Sequence, residues 1–248
     1  MKDLSITRKS VKWGIKVPGK DLVFAVWQEA LTNYLTTIKY PNKEYKNFWP
    51  AYHVIGHDIM FHHTILWDSW LMAAGIDLPK VIVHGFINIK GEKMSKSSGL
   101  VLDPFDLAKK YPVDAIRYYL IKDVSFGQDL DFSEEALKAR LNNELADKLG
   151  NLISRVSTLI ERYSIEKTEN KLLKKLKLNE IKKLMDNYEL NKALSLIFEF
   201  IDICNEYVQE NKIWETKDKK KLYELADSIK AIGILIYPFM PITAEKIS

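Results

Sequence analysis

The sequence has little cysteine, no long apolar run and no strong excess of charge of one sign. Cys204 is the one cysteine among 248 residues, which excludes an internal disulfide bond and a zinc site built from several thiolates; we therefore expect a reducing, cytoplasmic compartment. The longest late apolar run, 231–240, has about half the length of a membrane span, and the first residues lack the apolar core of a secretory leader. We expect no membrane insertion.

The charge balance does not select a partner by itself. Lys and Arg number 37 and Asp and Glu number 33, so the net charge is +4, a mild preference for anionic ligands that is far from the basic stripe of a nucleic-acid binder. With 47% hydrophobic and 28% charged residues, the composition is that of a folded globular protein. The length fits one large or two modest domains.

Up to about residue 124, short β-rich runs alternate with helical patterns. The runs 22–26, 52–55 and 81–84 predict strands, and helices are predicted over 28–38 and over 58–74, where Gly75 ends the second one. This alternation is typical of α/β units with a mostly parallel sheet.

From Ser133 onward nearly the whole chain has a helical pattern. Ser133 can cap a long amphipathic helix that extends to about Tyr163, and further helices are predicted over 188–208 and 222–236. The lysine-rich segment 167–183 is interpreted as a solvated connection because its charges form no single-sign face. The predicted fold class is thus α/β and then all-α, with domains at 1–125 and 126–248.

The segment Lys93-Met94-Ser95-Lys96-Ser97 is the most informative string for chemistry. Two lysines separated by two residues on a glycine-bracketed loop can close over a polyphosphate and stabilise the charge that develops there. A merely flexible basic loop is the alternative. The loop precedes Asp103 and Pro104, which can cap and open a helix.

At this string the sequence resembles the class I aminoacyl-tRNA synthetases and, within them, the methionyl-tRNA synthetase family. The resemblance covers nearly the whole chain, in the blocks 2–8, 11–15, 26–27, 30–34, 55–59, 93–97, 114–120, 126–129 and 150–155. KMSKS alone indicates the class, whereas the blocks at 27–34 and 58–67 indicate methionine. The resemblance implies the second half of a Rossmann-like parallel-sheet catalytic domain followed by an α-helix bundle that binds the anticodon.

The resemblance also implies three groups of site residues. The methionine pocket would contain Arg8, near the substrate carboxylate, and Trp27, Ala30, Tyr34, Ile59, His63 and Trp67. Aromatic walls suit a polarizable thioether, although core packing is the usual role of an isolated tryptophan. The ATP site, with Mg²⁺ bound to the nucleotide, would contain His84, Gly85, Phe86, Ile87, Lys93, Met94, Ser95, Lys96 and Ser97. Lys93 and Lys96 would be catalytic, and Asn151, Arg155 and Trp214 would read the tRNA(Met) anticodon.

Two departures and one rejected alternative concern the histidines. His57 replaces the lysine usual in the family, and Glu29 replaces an aspartate after Trp27. A metal site formed by the histidines at 53, 57, 62 and 63 is not favoured, because no thiolate or carboxylate cluster completes a tetrahedral set. We expect no zinc site in this chain.

The second class I signature, His-x-Gly-His, does not occur in the sequence. The resemblance therefore implies a C-terminal portion that acts with a second chain carrying the missing half, although a cloning truncation would have the same sequence. A non-catalytic tRNA-binding module and another class I specificity, such as cysteine or leucine, are the alternatives.

Overall fold

The computed structural model describes residues 5–94 and 101–247. Its contacts divide the chain into two compact units, Met1–His84 (unit 1) and Gly85–Ser248 (unit 2). The predicted domain boundary at 125/126 stays a prediction. Within the described ranges, no helix has both the length and the apolar character that a membrane span requires.

Unit 1 contains two small sheets and the helices between their strands. Strand β1 (Thr7–Arg8) pairs antiparallel with β2 (Val23–Phe24), and helix α1 (Val26–Thr37) follows. Strand β3 (Tyr52–Gly56) pairs in parallel with β4 (Lys80–His84), from Tyr52 opposite Lys80 to Gly56 opposite His84. Between β3 and β4 lie a 3₁₀ turn (His57–Ile59), a π-helical turn (His62–Leu66) and helix α2 (Trp67–Ala73). A further 3₁₀ turn (Lys43–Asn47) precedes β3.

The core of unit 1 is aromatic and aliphatic. Leu31 and Leu35 are one helical turn apart on α1 and pack with Trp49, Trp67 and Leu71. The end of α2 is fixed as predicted: Gly75 has φ +68° and the N–H of Ile76 donates to the carbonyl of Leu71 at 2.9 Å.

Unit 2 begins with a three-stranded sheet. Strand β5 (Ile87–Ile89) lies between β6 (Glu92–Lys93), which is antiparallel to it, and β7 (Leu130–Phe132), which is parallel. Helices α3 (Pro104–Lys110) and α4 (Val113–Lys122) connect β6 to β7 along the chain. Asp103 caps α3 as predicted, since its carboxylate accepts the N–H of Phe105 at 2.7 Å.

The remainder of unit 2 is a helix bundle, which confirms the predicted all-α region. A continuous helix runs through α5 (Glu134–Arg140), a π-helical segment (Leu141–Gly150) and α6 (Asn151–Tyr163), and the Ser133 hydroxyl caps it at 3.2 Å from the N–H of Ala136. A short 3₁₀ turn and five further helices follow: Leu172–Lys175, then α7 (Leu178–Asp186), α8 (Leu190–Glu210), α9 (Ile213–Thr216), α10 (Lys219–Ile236) and α11 (Pro241–Ile247).

The lysine-rich segment is not a solvated connection, so that interpretation was wrong. It forms α7 and the 3₁₀ turn before it, and Leu172 and Ile181 are each 2% exposed in the bundle core. Asn170 anchors its start by donating to the carbonyl of Glu224 at 2.9 Å. The apolar residues among the lysines therefore pack into the core of the helix bundle.

The helix predicted over 58–74 is also more complex than expected. Its first turn is 3₁₀ and its second is π-helical, and only Trp67–Ala73 is α-helical. A π turn places an extra residue in the helix, and such turns occur often at functional sites. Here it brings two consecutive histidines, His62 and His63, against Trp27.

Candidate functional site

The aromatic residues predicted for the methionine pocket form one cluster in unit 1. The ring of Tyr34 lies 5.8 Å from that of His63 and 6.3 Å from that of Trp67. Trp27 stacks on His62 at 3.9 Å, and its ring is nearly perpendicular to that of His63 at 6.0 Å. Trp27 and Tyr34 therefore both lie close to His63, as the resemblance implied for a shared pocket.

His63 is held by two hydrogen bonds although it is only 2% exposed. Its Nδ1 lies 3.0 Å from the carbonyl oxygen of Ile59, and its Nε2 lies 2.9 Å from the hydroxyl oxygen of Tyr34. A carbonyl oxygen only accepts, so Nδ1 carries a proton and donates it. The predicted pocket residue Ile59 thus orients His63 through its backbone carbonyl.

His53 belongs to the cluster and was not among the predicted pocket residues. Its ring lies 4.3 Å from that of Tyr34 and 5.8 Å from those of Trp49 and His63. Both of its ring nitrogens are buried without a hydrogen-bond partner among the described residues. Burial, assisted by the nearby charge of His63, lowers the pKa of His53 to about 4, so the ring is neutral at pH 7.

The signal for His53 was present in the sequence. Strand β3 alternates, with His53 and Ile55 buried and Tyr52 and Val54 exposed, so His53 had to face the same core as Trp67. His62 was also missed as a pocket neighbour, and burial lowers its pKa as well. Trp49 packs against His53, and its Nε1 donates to the carbonyl of Asp77 at 2.7 Å.

Arg8 and Ala30 are both exposed. Arg8 is exposed on β1 and lines an open cavity of about 660 Å³ together with Glu29, Trp13 and other residues of unit 1. Ala30 is exposed on α1. Arg8 and Glu29 therefore line the same cavity. Glu29 is the residue that replaces the family's usual aspartate.

The predicted ATP residues fall into described and undescribed parts. His84 ends β4 in unit 1; in unit 2, the N–H of Phe86 donates to the Asp129 carboxylate at 2.8 Å, and Ile87 begins β5. Lys93 ends β6, and Met94 is half-buried. Ser95, Lys96 and Ser97 lie outside the described residues.

The predicted anticodon residues lie on two helices of unit 2. Asn151 and Arg155 are one turn apart on α6; Asn151 is exposed, whereas Arg155 is half-buried. Trp214 lies on α9 and is 40% exposed. Lys212 and Lys217, which flank this short helix, both have left-handed backbone conformations, with φ of 41° and 51°. Such conformations are costly for residues other than glycine and often occur at functional sites.

Comparison with known proteins places this geometry in a family. The family model described as "tRNA synthetases class I (M)" matches residues 1–157, and the model described as "Anticodon-binding domain of tRNA ligase" matches residues 169–248. The chain belongs to the family of tRNA synthetases class I (M). The class I synthetase fold, a parallel-sheet Rossmann-like region followed by a helical anticodon-binding domain, is thereby confirmed.

Relatives of this class I (M) synthetase chain are named methionine–tRNA ligases. The protein from Caldanaerobacter subterraneus subsp. tengcongensis is 41% identical over 99% of this chain and 42% of its own length. The protein from Brucella suis biovar 1 is 39% identical over 100% of this chain and 52% of its own length. The chain therefore spans about half the length of these relatives. These matches do not place it in their C-terminal portion, so that part of the prediction is not confirmed.

Solved structures agree with this membership in the class I (M) family. The Mycobacterium tuberculosis methionyl-tRNA synthetase in complex with methionyl-adenylate is 36% identical, with a TM-score of 0.89 over 100% of this chain and 54% of that one. The apo form of the same enzyme matches with a TM-score of 0.86 and 33% identity. In the part of this chain that the structure describes, no group of three His, Cys, Asp or Glu residues is arranged to hold a metal ion.

Proposed function

We propose that this chain takes part in the ATP-dependent activation of methionine and its attachment to tRNA(Met). The observation that supports the proposal most is the cluster of Tyr34, His63, Trp67 and Trp27, which joins a hydroxyl–imidazole pair to aromatic walls. Sulfur–aromatic contacts contribute roughly 0.3 to 1.5 kcal/mol each, so such walls suit an unbranched thioether. Arg8 would bind the amino-acid carboxylate outside this cluster.

In the proposed reaction, a carboxylate oxygen of methionine attacks the α-phosphorus of ATP and pyrophosphate leaves. The tRNA 3′-terminal hydroxyl then attacks the acyl carbon, and AMP leaves. Lys93 and Lys96 of the KMSKS string would stabilise the pyrophosphate as its charge develops, with Mg²⁺ arriving bound to the nucleotide. His84, Gly85, Phe86, Ile87, Met94, Ser95 and Ser97 are the other residues proposed to contact ATP. Catalysis by orientation and charge stabilisation requires no covalent intermediate on the enzyme.

Recognition of the tRNA anticodon is the proposed role of Asn151, Arg155 and Trp214. The match of residues 169–248 to an anticodon-binding domain supports it, as does the exposed ring of Trp214. Splayed bases of single-stranded RNA stack on aromatic rings and offer their edges to amide and guanidinium groups.

The proposal includes a contribution from residues outside this sequence. The string His-x-Gly-His is absent from the 248 residues, and the chain spans about half the length of its relatives. We propose that a polypeptide bearing that string completes the catalytic domain, as a second chain or as the remainder of a longer protein.

Methionine-dependent ATP–pyrophosphate exchange tests this proposal. The chain is assayed alone and after mixing with a polypeptide that bears the His-x-Gly-His half, with Lys96→Ala as the variant and Lys182→Ala as a charge-matched control on exposed α7 surface. We expect exchange only in the mixture, loss in Lys96→Ala and retention in Lys182→Ala.

Three other results would contradict the proposal. Exchange that depends on cysteine or leucine instead of methionine would indicate another specificity. Exchange unaffected by Lys96→Ala would remove the proposed role of the KMSKS loop. Stable complex formation and tRNA(Met) binding without exchange would indicate a non-catalytic tRNA-binding module.

A further inference from the structure

Residues 8–20 of unit 1, the basic segment, carry positive charge that no nearby carboxylate in the sequence balances. The segment contains no Asp or Glu, although these residues number 33 in the whole chain. Its five cationic side chains are all exposed, and none forms an ion pair with another residue in the ranges 5–94 and 101–247: Arg8, Lys9, Lys12, Lys16 and Lys20. Five unpaired cations so close in sequence create a local positive potential that the net charge of +4 does not reveal. The basic segment therefore favours an anionic partner.

Trp13 lies in the middle of the basic segment and is 90% exposed, more than any other large hydrophobic residue of the described ranges. Bases of single-stranded RNA stack on exposed aromatic rings while lysines contact the phosphates, so a tryptophan among lysines is typical of such a site. A protein partner would be expected instead to bury an apolar centre that is poor in charge. The charges around Trp13 thus favour RNA.

The backbone of the basic segment is held in place by strand β2. Val23 of β2 pairs with Arg8 on one side and with Lys16 on the other. The chain turns back to β2 through Gly19, whose φ of +71° is left-handed. Because these contacts already fix the segment, a ligand loses less free energy in ordering it.

Trp13 lines the same cavity of about 660 Å³ as Arg8, the residue proposed above to bind the amino-acid carboxylate. In the proposed reaction, the carbon of that carboxyl group is the atom that the tRNA 3′-terminal hydroxyl attacks. The unpaired end of the RNA therefore has to reach the vicinity of Arg8. Glu29 also lines the cavity and its carboxylate repels phosphates, so a base suits the cavity better than a phosphate does.

We propose that the basic segment binds the unpaired 3′ end of the tRNA, with Trp13 stacking on one of its bases and Lys12 and Lys16 contacting its phosphates. This inference rests on the proposed function, because Arg8 has to hold the amino acid beside Trp13. Stacking and phosphate contacts can be measured separately, since each phosphate contact adds to the salt dependence of binding.

Binding of a short RNA hairpin to this chain is measured by fluorescence anisotropy. One hairpin carries unpaired nucleotides at its 3′ end, the reference hairpin is blunt, and neither contains the anticodon. We expect tighter binding of the extended hairpin, a loss of about 5- to 150-fold in Trp13→Ala, and retention of most of the affinity in Trp13→Phe. Lys12→Ala and Lys16→Ala should each flatten the slope of log affinity against log salt concentration by about 0.7.

Two variants in unit 2 are the matched controls for hairpin binding. Trp214→Ala removes another exposed indole, and Lys182→Ala removes another exposed ammonium group. Both should bind the extended hairpin as the unmodified chain does. Thermal unfolding of every variant checks that it is folded; since Trp13 is 90% exposed, we expect Trp13→Ala to unfold close to the unmodified chain.

Transfer of methionine to tRNA is measured in the mixture with the complementary half. In a single turnover with subsaturating tRNA, Trp13→Ala should slow the transfer by about the factor that it loses in hairpin binding. Methionine-dependent ATP–pyrophosphate exchange should be retained, because exchange requires no tRNA.

The outcomes separate the inference from the proposed function. Equal affinity for the two hairpins, or an affinity unchanged by Trp13→Ala, would overturn the inference even where exchange supports the proposed function. Loss of complex formation and of exchange in Trp13→Ala would show that the complementary polypeptide covers this ring, which also overturns the inference. Absence of exchange in every mixture with the unmodified chain would overturn the proposed function, and the inference with it.

Discussion

At the scale of single residues, Gly85 leaves no room for a side chain. An ideal Cβ there would lie 2.0 Å from the carbonyl oxygen of Gln128, a backbone atom that the neighbouring hydrogen bond from Leu130 to Phe86 (2.8 Å) holds in place. Gly85→Ala must therefore displace the chain before β7. We expect a loss of about 2–4 kcal/mol in the free energy of unfolding, measured by urea denaturation.

Gly91→Ala is the matched control for this prediction. Gly91 lies in the same unit with φ +76°, and a Cβ there meets nothing within 4 Å. It incurs only the backbone cost of a left-handed alanine, about 1–2 kcal/mol. Equal destabilisation by the two substitutions would show that the close approach at Gly85 is unimportant.

Also at this scale, His53 should make the stability of unit 1 depend on pH. Its pKa in the folded chain is about 4, below the ordinary histidine value of 6.5. A lowered pKa means that the unfolded chain binds the proton more tightly, so the stabilisation is complete above pH 6.5 and is lost as the pH falls towards 4. The loss approaches an upper value of about 3 kcal/mol.

Urea unfolding at pH 7, 6 and 5, monitored by tryptophan fluorescence, tests this dependence. His53→Phe preserves an aromatic ring against Tyr34 and removes the titrating nitrogens, so the slope with pH should decrease. His62, whose pKa burial also lowers, accounts for part of the remaining slope. A slope unchanged by His53→Phe would contradict the assignment.

At the scale of elements, local signals predicted those helices and strands whose cause is local. Apolar periodicity predicted helix α1 and strands β3 and β4. Side-chain oxygens predicted the caps at Ser133 and Asp103, and a left-handed glycine predicted the stop at Gly75. The π turn at 62–66 was not predicted, because an extra residue in a helix is selected by its packing rather than by its composition.

The candidate site likewise contains residues that could be named from the sequence and one that was not. Trp27, Tyr34, His63 and Trp67 could be named from a family resemblance, and the structure brings these rings together. Their assignment to methionine stays a prediction. His53 was considered only as a metal ligand. The alternation of β3 places it on the buried face with Ile55, but its approach to Tyr34 and His63 is a long-range contact that a single sequence does not reveal.

Helix α7 supplies the prediction at this scale. Ile181 is 2% exposed in the bundle core, whereas the adjacent Lys182 is exposed. Ile181→Ala should lower the free energy of unfolding by about 2–4 kcal/mol through lost burial and a residual cavity, and Lys182→Ala should change it by less than about 0.5 kcal/mol. Chemical denaturation of both variants decides the matter, and similar small effects would restore the interpretation of the segment as a solvated connection.

At the scale of the whole molecule, the parallel sheet of unit 1 has only two strands in the described part of the chain. Parallel strands are normally covered on both faces, yet β3 and β4 pair only with each other in the described part of the chain. Tyr52 and Val54 are 62% and 61% exposed on β3, and the Lys80 ammonium group lies 5.6 Å from the Tyr52 ring. An apolar strand face of this kind promotes association.

The separate chain should therefore self-associate through β3 unless a complementary polypeptide is present. Sedimentation velocity at increasing concentration should show association, and Val54→Lys should reduce it by placing a charge on the exposed face. Ser157→Lys adds the same charge at an exposed position of α6 and should have little effect. Because the proposed catalytic partner would have to cover this same strand face, its addition should convert the associated chain into a defined complex. A monomeric chain at high concentration, with no binding of a hydrophobic dye, would contradict both the exposed face and the proposed completion of the sheet.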